Sequence, residues 1–253
     1  MGTTTRIALI TGGSRGLGKN SALHIAWRGI DVILTYRSKK EEAEATVTEI
    51  VAMGRKAAAL QLDTGEVKSF EGFSEQLLSV LKTKWEREQF DFLINNAGID
   101  APSLFGKTKE DDFDNLVNVH FKGVYFLTQT LLPVIADGGR IINLSSGLTR
   151  FSSPGYAAYA SMKGAIEVFT RYLAKELGPR QITANTVAPG IIETDFTAEA
   201  FSHPGMRELM SKATALGRPG IPDDIGSVIA FLCTDDARWI NAQRIEASGG
   251  MFL

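Results

Sequence analysis

Thr11-Gly12-Gly13-Ser14-Arg15-Gly16-Leu17-Gly18 decides the fold, because an apolar run precedes it and a helical pattern follows it. Residues 6–11 (RIALIT) read as a buried parallel strand, and residues 20–29 (NSALHIAWRG) as the helix behind it. Glycines at such a turn let backbone approach a ligand closely and leave helix N-terminal amides free to bind a phosphate. The spacing is TGxxxGxG rather than the GxGxxG of the commonest dinucleotide fingerprint, and glycine-rich turns also serve packing alone. Gly12, Ser14, Arg15, Gly16, Leu17 and Gly18 are the ligand candidates of this loop.

Outward from the loop, strand and helix patterns alternate. Residues 31–36 (DVILTY) form a second β-branched run, and Ser38 to Glu41 has the spacing of a capping box opening a helix that ends near Gly54. Residues 56–62 give a third strand ending before Asp63; residues 66–85 are helical, with Phe70, Phe73, Leu77, Leu78 and Leu81 recurring at three- and four-residue spacing. A fourth strand at 90–94 runs into Asn95-Asn96-Ala97-Gly98, a long helix is expected over 109–136, and a fifth strand over 140–145. A helix at 156–177, a strand at 182–187, a helix at 223–233 and a seventh strand at 240–247 complete the series. This alternation predicts an α/β, single-domain, Rossmann-type doubly wound parallel sheet of about seven strands, covered on both faces and spanning residues 1–253. Ligands bind such sheets at the carboxyl ends of the strands, where the polar clusters converge.

Composition narrows the function. With 27 Lys+Arg against 29 Asp+Glu, a net charge of −2 and no long basic run, neither nucleic acid nor a membrane surface is an expected partner. The single cysteine, Cys233, lies in an apolar helical stretch and reads as core filler, with no disulfide or thiolate metal cluster. The first residues lack a basic n-region, and Gly2 invites myristoylation except that Arg6 stands where that motif wants Ser or Thr. A soluble, cytoplasmic protein is expected. His24, His120 and His203 lack metal-ligand spacing, and no metal is expected.

Tyr159 and Lys163 lie four apart on a predicted helix and so share a face, but Tyr36 and Lys40 have the same spacing. Company separates the pairs: Ser145-Ser146 ends the strand before the Tyr159 helix, whereas Tyr36 itself ends a strand.

Taken in order, TGGSRGLG, NNAG at 95–98, Asn118, Ser146, Tyr159-x-x-x-Lys163 and Pro189-Gly190 resemble the short-chain dehydrogenase/reductase superfamily, in its roughly 250-residue branch, over essentially the whole chain. The resemblance implies a catalytic set of Asn118, Ser146, Tyr159 and Lys163, Asn118 being chosen over Asn115. Tyr159 would exchange the proton, Ser146 would orient the substrate oxygen, and Asn118 would hold a water linking Lys163 to solvent. A phenol of pKa ~10 is a poor acid, but an ammonium about 4 Å away favours phenolate by ~4 kcal/mol, or ~3 pKa units, which would bring Tyr159 near the working pH. The cofactor would be held by the glycine loop and by Asn95, Ala97, Gly98, Tyr159, Lys163, Pro189, Gly190, Ile192 and Thr194, with Asp63 on adenine.

An NAD enzyme usually carries an acid at the end of the second strand. Here the order is Tyr36-Arg37-Ser38-Lys39-Lys40, and Arg37 and Ser38, with Arg15, suit a 2′-phosphate. NADP(H) is favoured over NAD(H). Residues 195–217 are the expected lid, and Leu148, Phe151, Tyr156, Ile192 and Phe196 suggest a mostly apolar substrate pocket. The leading expectation is an NADPH-dependent ketoreductase (carbonyl reductase) acting on a ketone or β-keto ester. Alternatives are a 3-oxoacyl-carrier reductase, for which Arg171 and Arg180 could offer a docking patch, and an NAD(P)-dependent alcohol or sugar dehydrogenase. A non-enzymatic nucleotide sensor and an enoyl reductase are disfavoured, the first because tyrosine and lysine are both present, the second because of their close spacing. Relatives of this length assemble as homotetramers through two long helices and the C-terminal strand. The chain departs from its relatives at Asn241-Ala242-Gln243, where glycine usually precedes glutamine.

Overall fold

The computed structural model describes residues 5–253, and Gly2, with the myristoylation question it raised, lies outside them. Seven strands form one parallel sheet in the order β3-β2-β1-β4-β5-β6-β7: β1 Ile7–Ile10, β2 Asp31–Tyr36, β3 Ala57–Gln61, β4 Phe90–Asn95, β5 Ile135–Leu144, β6 Thr183–Pro189 and β7 Arg244–Ala247. The helices are α1 Gly16–Trp27, α2 Lys40–Ala52, α3 Phe70–Trp85, α4 Glu110–Val117, α5 Gly123–Leu131, α6 Ala157–Glu176, α7 Ala198–Ser202, α8 Met206–Ala213 and α9 Pro222–Leu232.

The twofold alternation of a strand explains both layers. On β1, Ala8 and Ile10 join Val32, Leu34, Ile142 and Val187 in a core closed by Ala22 and Ile25 of α1 and Ile225 and Ile229 of α9. Ile7 and Leu9 face the other way, into a core with Phe73 and Leu77 of α3, Leu131 of α5 and Ala174 of α6. Cys233 fills the first core, where burial pushes its thiol up to about 12. The chain reverses its winding between β1 and β4, which opens the crevice where such sheets bind ligands.

Three sequence expectations are corrected. Helix α1 starts at Gly16, four residues before the expected start, so the glycine loop feeds straight into it. Ser38 caps nothing: α2 is entered through Lys39, without a side-chain cap. The long helix expected over 109–136 is broken twice. A π-helical turn at Asn118–Lys122 separates α4 from α5, and Pro133, which lacks an N–H, sits in the 3₁₀ turn that ends α5. The π turn brings Gly123 so close to the neighbouring loop that a Cβ there would stand 1.9 Å from the Thr64 carbonyl oxygen. Strand β5 then begins at Ile135, opposite Phe90, and slips register before Arg140 pairs with Phe92. At the far edge, the doubtful turn forms with Ala242 at φ +58°, and Asn241 Oδ1 accepts from the Ala184 and Ala242 amides.

Candidate active site

The glycine loop is pinned from beneath. Thr11 Oγ1 accepts from the Asn96 and Ala97 amides, each at 3.0 Å, and Asn96 Nδ2 donates to the Thr11 and Gly12 carbonyls. Gly12 takes φ +66°, and a Cβ on Gly18 would stand 2.1 Å from the Gly12 carbonyl oxygen. A Cβ on Gly16 would meet nothing within 4 Å, so the loop's outer side is open. Helix α1 has no side-chain cap, which leaves its N-terminal amides free to face an anion. These features fit a dinucleotide diphosphate.

Arg37 and Ser38 are exposed at the end of β2, with no carboxylate in the strand's last residues. Arg15 lies 3.7 Å from Asp195, across from the segment expected to be a lid. Asp63 Oδ1 accepts from the Gly65 amide and so shapes its own turn. Asn95 turns inward, donating to Asn143 Oδ1 at 2.8 Å and to Thr128, so its side chain clamps β4 to β5 and α5. Asn96, absent from the expected set, holds the loop instead; two successive asparagines on a strand point to opposite faces. Ile192 packs into the first core, where Gly220 leaves room for it, and also lines a cavity with Leu216, Gly220 and Ser248. Thr194 opens the 3₁₀ turn Asp195–Thr197 in a capping box, and Gly190 donates to the Ala247 carbonyl beside Pro189.

At the carboxyl end of β5, Ser146 caps the turn Gly147–Thr149, its Oγ accepting from the Leu148 amide, and its hydroxyl lies near enough to Tyr159 to pull the phenol's pKa down. Lys163 is buried on α6, donates from Nζ to the Leu144 carbonyl at 2.8 Å and stands 5.5 Å from the Tyr159 ring centroid. Tyr36 and Lys40, with the same spacing, lie on a strand and a helix respectively. Tyr156 lies edge-on to Tyr159 with centroids 6.4 Å apart.

The expected titration of this pair is not found. Burial pushes the Tyr159 phenol above its ordinary value, the Asp100 charge adds to the rise, and the Ser146 hydrogen bond only opposes it. Burial also pushes Lys163 down, to about 7. The lysine offers its charge to the face of the ring and a proton to Leu144, so desolvation wins over Coulomb attraction. Tyr159 is therefore a neutral phenol, able to donate.

The pocket expectation needs correction as well. Phe151 packs on the C-terminal Phe252, with centroids 4.7 Å apart, rather than standing free. Leu148 is half-buried, Phe196 is exposed, and the charges of Asp100 and Glu199 raise the Tyr156 phenol alongside its burial. Two carboxylates, Asp100 and Glu199, thus lie near enough to Tyr156 to act on its phenol, which no motif announced.

Sequence reasoning also missed the support behind Ser146. Glu167 Oε1 accepts from Ser145, Thr149 and Arg244 at 2.5–2.8 Å, and Arg244 donates to the Ser146 carbonyl. Glu246 pairs with Arg150 and Arg244, which hold its carboxyl down to about 2. Glu167 on α6 is four residues beyond Lys163, and that helical spacing was the available signal. Asn118 opens the π turn, where its backbone carbonyl accepts from the Gly123 amide. His120, left without a role, packs on the Tyr159 ring.

Residues 12–252 match a family model described as enoyl-(acyl-carrier-protein) reductase. The chain is 36% identical over 251 residues to the 3-oxoacyl-[acyl-carrier-protein] reductase FabG of Staphylococcus aureus, covering 98% of this chain and 99% of that one. Two solved structures superpose with a TM-score of 0.93 at 36% identity. One is the promiscuous reductase LugOII, which catalyses keto-reduction at C1 during lugdunomycin biosynthesis (99% of each chain). The other is the angucycline C-6 ketoreductase LanV with bound NADP (99% of this chain, 97% of that).

Proposed function

The chain belongs to the short-chain dehydrogenase/reductase superfamily, and we propose that within it the protein is an NADPH-dependent ketoreductase with Tyr159 as proton donor. The observation that carries this reading is the grouping of Tyr159 with buried Lys163 on α6, Nζ 5.5 Å from the ring, against Ser146 at the carboxyl end of β5. NADP(H), when bound, supplies the hydride. The chain's own residues do the rest. Ser146 holds the substrate oxygen against Tyr159, and Tyr159 gives it a proton as the carbonyl carbon becomes a secondary alcohol. Lys163 returns a proton to Tyr159, and its charge also suits the nicotinamide ribose.

Gly12, Ser14, Gly16, Leu17 and Gly18 would take the diphosphate. Arg15, Arg37 and Ser38 would take the 2′-phosphate, Asp63 the adenine, Ala97 and Gly98 the adenosine ribose, and Pro189, Gly190 and Thr194 the nicotinamide. Residues 195–217 would cover the site: neither α7 nor α8 buries a residue, as suits a segment that moves. An acyl-carrier substrate is the second reading, favoured by the FabG similarity. Against it, Arg180 is spent on Asp137 and on the Leu132 carbonyl, so it is no free docking cation. The enoyl description is not carried over, because Tyr159 and Lys163 stand one helical turn apart.

We also read the enzyme as a cytoplasmic homotetramer. Tyr125, Phe126, Val168 and Tyr172 expose apolar surface on α5 and α6, and Cys233 is a free thiol. No helix among the described residues is long and apolar enough to cross a membrane. The test is oxidation of NADPH and NADH, side by side, against aryl ketones, β-keto esters and an acetoacetyl thioester. Faster NADPH turnover abolished by Tyr159→Phe supports the reading. Cofactor binding without turnover of any carbonyl or alcohol overturns it.

A further inference from the structure

The last residues of the chain lie between the end of the proposed lid and the turn that carries Ser146, and they are bonded to both. On the lid side, the Ala215 amide donates to the Gly250 carbonyl at 3.2 Å and the Leu216 amide to the Gly249 carbonyl at 3.1 Å. The Phe252 amide donates to the Ala213 carbonyl at 2.8 Å, and Thr214 and Met251 pair as an antiparallel bridge. Gly250 takes φ +76°, and a Cβ there would stand 2.8 Å from the Ala215 Cβ, so the two segments pack too closely for a side chain. Neither α7 nor α8 buries a residue, which leaves this pairing to set where the lid ends.

On the Ser146 side the link is Arg150, the residue after the turn Gly147–Thr149. Its Nη1 donates to the Phe252 carbonyl at 3.1 Å and its Nη2 to the Met251 carbonyl, while Nε and Nη2 reach the Glu246 carboxylate at 2.8 and 2.6 Å. Glu246 also accepts from Arg244 at 2.8 Å and from Ser248 at 2.7 Å, and Arg244 donates to the Ser146 carbonyl at 3.2 Å. Phe252 adds an apolar contact, packing on Phe151 with ring centroids 4.7 Å apart. A planar guanidinium can serve two carbonyls and both carboxylate oxygens in fixed directions, which a lysine ammonium cannot.

We propose that residues 248–252 are a strap through which the end of the lid and Ser146 move together, with Arg150 as the positioning residue where they join. Coupling of this kind is carried by contiguous hydrogen-bonded segments, and here the chain of bonds runs unbroken from Ala215 to Ser146. A lid that settles over a substrate draws on the strap, and the strap fixes the turn whose Ser146 hydroxyl meets the substrate oxygen. The effect on rate rests on the ketoreductase reading, but the coupling itself is read without turnover.

The test is amide hydrogen exchange, with the strap disturbed at one end and read at the other. Gly250→Ala pushes a Cβ against Ala215 on the lid side, and Arg150→Lys keeps the charge but loses the planar fork. Gly250→Ala is expected to speed exchange of the Leu148 amide, which is bonded to Ser146 Oγ at 3.2 Å, by about tenfold. Arg150→Lys is expected to do the same at the Ala215 and Leu216 amides, while the amides of β4 keep their protection in both variants. Coupling is reciprocal, so a change confined to its own end in either variant overturns the proposal. Where Gly250→Ala loosens β4 as well, Arg150→Lys alone decides.

Kinetics supply the second arm. Arg150→Lys is expected to lower kcat by about fivefold to tenfold with the Kd for NADPH unchanged, because a displaced Ser146 costs rate rather than cofactor affinity. A lowered Tm with kcat intact would show a strap that only holds the fold, and would overturn the positioning role. Coupled exchange in a protein that reduces no carbonyl would leave the strap standing and sink the ketoreductase reading instead.

Discussion

Lys163 stands over the Tyr159 ring, with Nζ 5.5 Å from the ring centroid and a proton given to Leu144. A cation placed so does little to make phenolate, and burial then sets both titrations. On the proposed function, Tyr159 would then act as the proton donor. Tyr159→Phe should lower kcat by roughly 10²–10⁴ while Tm barely changes, as steady-state kinetics and a melting curve will show.

Lys163 should leave a mark on stability. Its folded value is about 7 against an ordinary 10.5, so between those limits the unfolded chain binds a proton that the folded chain does not. Its contribution therefore rises with pH across that window and is flat below it. Urea titrations from about pH 6 to 10 should show this climb in the parent and a flatter profile in Lys163→Met.

Glu246 acts with the opposite sign. Arg150 and Arg244 hold its carboxyl down to about 2 from an ordinary 4.5, so its stabilisation is present above the ordinary value and is lost as pH falls toward 2. Glu246→Gln should remove part of the acid limb of a stability profile. Because Arg244 also holds the Ser146 carbonyl, kcat should fall more than cofactor affinity.

Arg37 should set cofactor choice. It is exposed at the end of β2, where an acid would repel a 2′-phosphate. Arg37→Asp should raise KM for NADPH by about tenfold or more and bring NADH turnover level with it, measured with the same ketone.

Ala242 holds a left-handed conformation at φ +58° where relatives usually carry glycine. Ala242→Gly should relieve the clash of Cβ with backbone and stabilise by about 1 kcal/mol, raising Tm by ~2–4 °C without changing kcat.

Much of this molecule is readable along the chain. Periodicity placed β2 to the residue, and the order of strands and helices implied the parallel sheet. Motif spacing favours Ser146 over Ser145, and in the structure Ser145 is turned onto Glu167 while Ser146 Oγ accepts from the Leu148 amide. The corrected readings concern the Ser38 cap, the titration of Tyr159 and Lys163, and the interruptions of the long helix. The break at Asn118–Lys122 accompanies the close approach of Gly123 to Thr64, a contact between distant segments that no local pattern carries.

The sequence by itself determined the alternating architecture and the glycine loop, because these depend on side-chain period and short-range spacing, and it offered Ser146, Tyr159 and Lys163 as candidates through family resemblance. Only the tertiary structure decided which way each side chain works. Desolvation depends on what surrounds a group from every direction; it is the main cause that raises the Tyr159 phenol, with the Asp100 charge adding to it, and it lowers Lys163. The fold also brought His120 against the Tyr159 ring.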